Sequence, residues 1–180
     1  MIIKFTIVSD EVEDFKRKIE IDADASFLDL NKAILKACNY TDDQITSFYL
    51  CDKNWKQGTQ IVREEMDDTL SSTEDIYIME DTILRDMIED INDHLVFVFD
   101  PLNERLFFIK VTDMVSGHAS TPLCTLSTGK APQQVLDVEG MGKGIDTSNA
   151  AFIDDDQDFY GSDGFNADEF DEEAFEIEDN

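Results

Sequence analysis

The chain has 180 residues, with 42 Asp+Glu against 14 Lys+Arg, so its formal net charge is −28. A field of that sign repels phosphate backbones, which excludes direct duplex DNA binding through a broad basic face and favours basic partners. Three cysteines, Cys38, Cys51 and Cys124, stand far apart without a CxxC pair, excluding a disulfide framework or zinc site and predicting small buried hydrophobes in a reducing compartment.

The opening residues MIIKFTIVSDEVED hold no basic stretch leading into a long apolar run, so no signal peptide is expected. The first strand is predicted where Ile3, Phe5 and Ile7 alternate with Lys4 and Thr6. Asp10 to Asp14 reads as a polar turn. Lys16, Arg17 and Lys18 then lead into a second strand with Ile19 and Ile21 on one face. Ser26 reads as a helix N-cap with Asp29 completing a capping box. Phe27, Leu30, Ile34, Ala37 and Cys38 follow at three-and-four spacing, and Asn39 suits a left-handed stop. Ile45 to Cys51 and Gln60 to Arg63 read as further strands.

Asp81 or Thr82 is predicted to cap a short helix using Ile83, Leu84, Met87, Ile88 and Ile91. Leu95–Phe99 and Leu106–Val111 flank Asp100-Pro101-Leu102-Asn103, the composition of a hairpin turn. Phe97, Phe99, Phe107 and Phe108 are expected to share a core face. Leu95 to Phe99 is also the longest plainly apolar run, far short of a membrane span. A soluble cytoplasmic α+β domain is expected over residues 1–138, with a curled, mostly antiparallel sheet packed on helices in a roll-like or β-grasp-like manner.

Glu139 to Ala150, EGMGKGIDTSNA, has linker composition. Residues 151–180 then hold thirteen Asp and Glu and no Lys or Arg, leaving −15 on residues 1–150. Like charge this dense opposes collapse, so a disordered acidic tail is expected. Phe152, Phe159, Tyr160, Phe165, Phe170 and Phe175 are scattered through it. Exposed phenyl rings work against solubility, so an acidic segment that keeps them apart suits docking on a basic, apolar-grooved partner. Phe159, Tyr160, Phe165, Phe170 and Phe175 are the candidate partner-binding residues.

His94 precedes an apolar strand and His118 lies in the loose GHAST segment, each expected to be an ordinary surface or strand-edge residue. No nucleophile elbow, Walker-type loop or HExxH is present. Gly140-Met141-Gly142-Lys143-Gly144 lacks the Ser or Thr of a phosphate loop. Asp154, Asp156 and Asp158 alternate as in a calcium loop, but Phe159 and Phe165 occupy the positions needing Gly and Glu. No cofactor or metal is expected. Lys16, Arg17 and Lys18 form the one basic cluster, readable as a contact for phosphate or acidic peptide, or as a solvated strand or self-contact with the acidic tail.

The run Arg17-Lys18-Ile19-Glu20-Ile21-Asp22-Ala23-Asp24-Ala25-Ser26-Phe27-Leu28-Asp29-Leu30 resembles the plasmid pRiA4b ORF-3-like family, in which a basic pair enters a strand and V-P-A-D-A-T-L-x-D-L-H opens a helix. Thr82-Ile83-Leu84-Arg85-Asp86 is similar to its T-L-x-D helix start, and Phe97-Val98-Phe99-Asp100 to its Y-x-Y-D. Pro122-Leu123-Cys124 and Gly129 to Pro132 are similar to its late Cys and Pro motif. The resemblance covers roughly residues 1–136 and implies an α+β fold. The family's Phe-Gly-Asp-x-Trp-x-His continues here as Pro101-Leu102-Asn103-Glu104-Arg105. Its helix-start His is Asn31, and its late acidic pair is Gln133-Gln134. A site built on those residues in relatives would be mostly lost here.

The expected function is a non-enzymatic interaction module whose acidic-aromatic tail docks on a basic protein. One alternative is a mobile-element accessory acting around nucleic acid, through a basic partner or by mimicking DNA. Another is an enzyme with a noncontiguous site joining His94 or His118 to carboxylates.

Overall fold

The computed structural model describes residues 1–64 and 76–136. In chain order these form β1 (Ile2–Val8), β2 (Lys16–Asp22), α1 (Phe27–Cys38), β3 (Ser47–Cys51), β4 (Gln57–Val62) and β5 (Ile76–Ile78). A short α2 (Leu84–Met87), β6 (His94–Asp100), β7 (Arg105–Val115) and β8 (Leu123–Thr128) follow. All eight strands join one sheet in the order β5-β4-β3-β6-β7-β1-β2-β8. The β4–β5 pair is parallel and every other pairing is antiparallel. One mixed sheet with few helices makes the described fold α+β.

Local chemistry sets the ends of α1. The Ser26 hydroxyl accepts from Asp29 N (3.2 Å) and the Asp29 carboxylate accepts from Ser26 N (3.1 Å), the reciprocal pair of a capping box. Phe27 N and Leu28 N donate to Thr82 O and Met79 O, each at 3.0 Å. The first-turn donors are therefore satisfied, and this helix start has no amides left to offer an anion. At the other end Asn39 takes a left-handed conformation, φ 58°.

The helix lays Phe27, Leu30, Ile34, Leu35 and Cys38 on one face of the sheet. Under it lie Ile3, Phe5, Ile7, Ile19, Ile21, Phe97, Phe107 and Ile109. Phe107 sits among Phe15 at 4.8 Å and Phe99 at 4.6 Å, ring centre to ring centre. On the opposite face Val8, Trp55, Val96, Leu106 and Phe108 make a second, smaller cluster.

Four expectations need correction. Phe108 leaves the face shared by Phe97, Phe99 and Phe107, because adjacent strand residues point to opposite sides. The helix expected after Asp81 shrinks to Leu84–Met87: the Thr82 hydroxyl donates to Ile78 O (2.7 Å) rather than capping, and Ile88 is already extended. Just beyond, the Asp93 carboxylate accepts from Glu89 N and Asp90 N, at 2.9 and 3.0 Å, holding a turn that leaves Ile91 exposed. Lys16, Arg17 and Lys18 lie within β2 rather than ahead of it. Finally, β5 and β8 are strands that the sequence pattern does not predict. The latter, LCTLST, is a largely exposed edge with no alternation of its own and forms by pairing with β2.

The domain boundary near residue 138, the linker 139–150 and the segment 151–180 with Phe159, Tyr160, Phe165, Phe170 and Phe175 lie outside the described residues. Among the described residues no helix is long and apolar enough to cross a membrane.

Candidate functional site

The most unusual local geometry lies in the β3–β4 turn, Asp52-Lys53-Asn54-Trp55-Lys56. The Asp52 carboxylate accepts from Asn54 N (2.8 Å) and Lys56 N (2.9 Å), and Trp55 N donates to Asp52 O (3.0 Å). Closing the turn this way puts Trp55 in the left-handed region, φ 62°. For a bulky side chain that conformation costs about 1–2 kcal/mol. Burial of the indole offsets it: the ring stacks on His94 at 4.1 Å and 8°, and meets Phe108 edge-on at 5.0 Å.

Trp55 thus folds over the sheet face opposite α1, here called the outer face. The strand registers lay out that face. One row runs Cys51, His94, Lys110, Thr6, Lys18 and Leu126. The next runs Tyr49, Val96, Phe108, Val8, Lys16 and Thr128. The face is therefore apolar under Trp55 and basic toward β1 and β2. Lys4, also on this face, pairs with Glu20 (3.6 Å) and Asp113 (3.5 Å). Burial and the neighbouring Lys18 push the Lys16 ammonium below its usual range.

A cleft of about 680 Å³ opens at the β6 end of this face, lined by Cys51, Asp52, Asp90, Asp93, His94 and Met114 among others. His94 Nδ1 lies 3.2 Å from Asp52 O, and the Asp93 carboxylate is occupied by the two turn amides. Burial pushes the Cys51 thiol up to about 12, so at neutral pH it is not the thiolate a nucleophile needs. Among the described residues no group of three or more His, Cys, Asp and Glu is arranged to hold a metal.

His118 is drawn to a different carboxylate. Its Nδ1 lies 2.6 Å from Asp22 Oδ2, which also accepts from Ala119 N (2.9 Å), while Asp22 Oδ1 accepts from Asp24 N (3.0 Å). Those amides, with His118 helping, hold the Asp22 carboxyl down at about 2. The pair pins the loop after β7 to the end of β2. His118 and His94 are not brought together.

The basic cluster is divided by the same alternation that formed β2. Arg17 shares the core side with Ile19 and Ile21 and is buried, its guanidinium 4.5 Å from the Phe15 ring centre. It donates to Ala37 O (3.0 Å), Lys16 O (2.9 Å), Gly129 O (3.1 Å) and Thr128 O. These bonds tie the end of α1 to β8. Lys16 and Lys18 alone of the run face outward. Asn31, where relatives are expected to carry His, is buried against Thr46, whose hydroxyl donates to Asn31 Oδ1 (2.9 Å).

Trp55 belongs to no apolar period in the sequence; it is the chain's one tryptophan and stands between Lys53 and Lys56 in a polar turn. A lone aromatic in a polar turn is the local sign that the turn folds back onto an apolar face.

The family model described as plasmid pRiA4b ORF-3-like protein matches residues 2–179, running past the described residues and through the acidic segment. Among solved structures, a protein of unknown function from Methanosarcina mazei Go1 is similar at a TM-score of 0.56 and 16% identity, over 70% of this chain and 68% of that one. At that identity the likeness is one of fold. No curated protein matches the chain.

Proposed function

The chain belongs to the plasmid pRiA4b ORF-3-like family, and we propose that this member is a non-enzymatic protein-interaction module whose segment 151–180 docks on a basic partner. The observation that carries the reading is the make-up of that segment: thirteen acids, six Phe and Tyr, and no Lys or Arg. Acids accelerate encounter with a basic surface, and aromatic rings supply the apolar area that holds the complex. The described domain supports the reading by the way it uses its polar groups. Arg17 is committed to backbone carbonyls, Arg105 to Glu11 at 2.8 and 2.9 Å, and Asp22 to amides. The Cys38 and Cys51 thiols are held up at about 12 by burial. In this reading the sheet, with α1 against one face, is a roll-like scaffold of the β-grasp kind.

The test is a pull-down from source cells with the full chain, the full chain carrying Phe165→Ala, Phe170→Ala and Phe175→Ala, and a chain ending at Ala150. A partner held by the full chain, weakened by the Phe substitutions with little change in salt dependence, and lost from the shortened chain is the expected result. Equal capture by all three refutes the proposal.

A further inference from the structure

We propose that the outer sheet face, between Trp55 and the Lys16/Lys18 pair, is the docking surface for this chain's own acidic-aromatic segment, residues 151–180. The inference rests on the proposed function for the segment's role in recognition, and adds that a basic partner must displace it from its own sheet.

Three observations lead there. The first is cover. Val8, Val96 and Phe108 are 3%, 2% and 0% exposed, yet among the described residues Trp55 is the only member of their cluster from outside the strands. The cluster reaches from β3 to β1, three strand spacings or about 14 Å. One indole is too small to shield that width by itself, which leaves room on the face for a covering segment.

The second is complementarity. The face offers aromatic and aliphatic side chains beside Lys16 and Lys18, whereas the segment offers Phe159, Tyr160, Phe165, Phe170 and Phe175 among acids. On a chain of net charge −28, a lysine-bearing surface next to a buried apolar patch is a rare match for such a segment. The acids at the cleft end, Asp52, Glu89, Asp90 and Asp93, repel it and direct it toward β1 and β2.

The third is reach. Arg105 Nη1 donates to Gln134 O (3.4 Å), and Thr41 N donates to Gln134 Oε1 (2.8 Å). The last described residues therefore lie beside Arg105, which points to the α1 side over Phe99 at the hairpin end of the sheet; Leu106, next along β7, points to the outer face. Rounding that end takes about 10 Å, and Leu106 to Lys110 along β7 about 13 Å more. Fourteen residues, 137–150, are enough for that path: a flexible linker of that length has a mean span of about 20 Å and a full extension of about 46 Å. A tether of that length gives an effective concentration of about 1 mM.

Trp55 is the chain's one tryptophan and reports the docking directly. If the segment alone binds at about 0.1 mM, the tether keeps it about nine-tenths docked; a tenfold weakening leaves about half. Acrylamide quenching is measured on the full chain and on the full chain with Phe159, Phe165, Phe170 and Phe175 all changed to Ala. The accessible fraction of Trp55 is expected to rise about fivefold in the variant. Molar salt or Lys16→Glu with Lys18→Glu shifts it the same way. A free peptide of residues 151–180 added to the Phe variant restores shielding.

Unchanged quenching in the Phe variant, with no response to salt or peptide, overturns the proposal. The Phe substitutions lie outside every described strand, so this arm stands even where the lysine variant fails to fold. Shielding lost on dilution together with a halving of mass assigns the face to a second copy and also overturns it. If Trp55 is indifferent while partner capture still needs residues 151–180, self-docking falls and the proposed function stands. If Trp55 responds but capture does not need the segment, self-docking stands and the partner reading falls.

Discussion

Replacing Arg17 with Met leaves the chain length of the side chain roughly intact and removes the guanidinium. Three carbonyls distant in sequence, Ala37 O, Thr128 O and Gly129 O, lose a charged donor. Each such bond is worth about 1.5–3 kcal/mol net, about 5–9 kcal/mol together. Relief of guanidinium desolvation and about 2 kcal/mol from burying the Met side chain oppose this, leaving a loss of about 3–5 kcal/mol. That is a large share of the roughly 5–15 kcal/mol that stabilises a domain. In urea, with a slope of about 2 kcal/mol/M, the midpoint falls by about 2 M. Far-ultraviolet circular dichroism follows the unfolding. Hydrogen exchange on β8 amides (Leu123–Thr128) is expected to accelerate more than exchange on β1, because Arg17 holds the end of that edge strand. Arg17→Lys keeps the charge but loses the planar fork, and falls between. A Met variant within about 1 kcal/mol of the parent would refute the assignment of Arg17 as the tie between α1 and β8.

Asp22 makes stability depend on acid. Its folded value of about 2 lies below the ordinary 3.8, so its contribution is complete above 3.8 and is lost as pH falls through about 2. The stability gap between the parent and Asp22→Asn should narrow over that window; a constant gap in pH-dependent urea titrations contradicts the amide cradle. Gly129 has φ 65°, and a Cβ there would overlap the Asp14 carbonyl. Gly129→Ala is therefore expected to lose at least about 1–2 kcal/mol, read as a lowered melting temperature. Cys38 is buried and Cys51 half-buried, and burial holds both protonated, whereas Cys124 is exposed. Iodoacetamide at neutral pH should add one label to the native chain, at Cys124, by mass spectrometry; rapid labelling of Cys51 would show that its cleft opens.

Whatever depends on neighbours within a turn or two is legible in the sequence. The alternation of Ile3, Phe5 and Ile7 made β1, and the Ser26–Asp29 pair and Asn39 bounded α1. Pro101 with its flanking residues folded the hairpin between β6 and β7. The acidic-aromatic composition of residues 151–180 is likewise plain in the sequence, and it carries the proposed function. What each face meets depends on the packing of distant segments. A basic triplet looks uniform in sequence, yet strand alternation sends Arg17 inward to carbonyls contributed by α1 and β8, and Lys16 and Lys18 outward. β8 has no apolar period of its own and exists because β2 offers it a partner. The outer face joins Trp55 from the β3–β4 turn, His94 and Val96 from β6, Phe108 from β7 and Val8 from β1. Residues that far apart along the chain acquire a common surface only when backbone hydrogen bonding fixes the order and register of the strands, which no local pattern encodes.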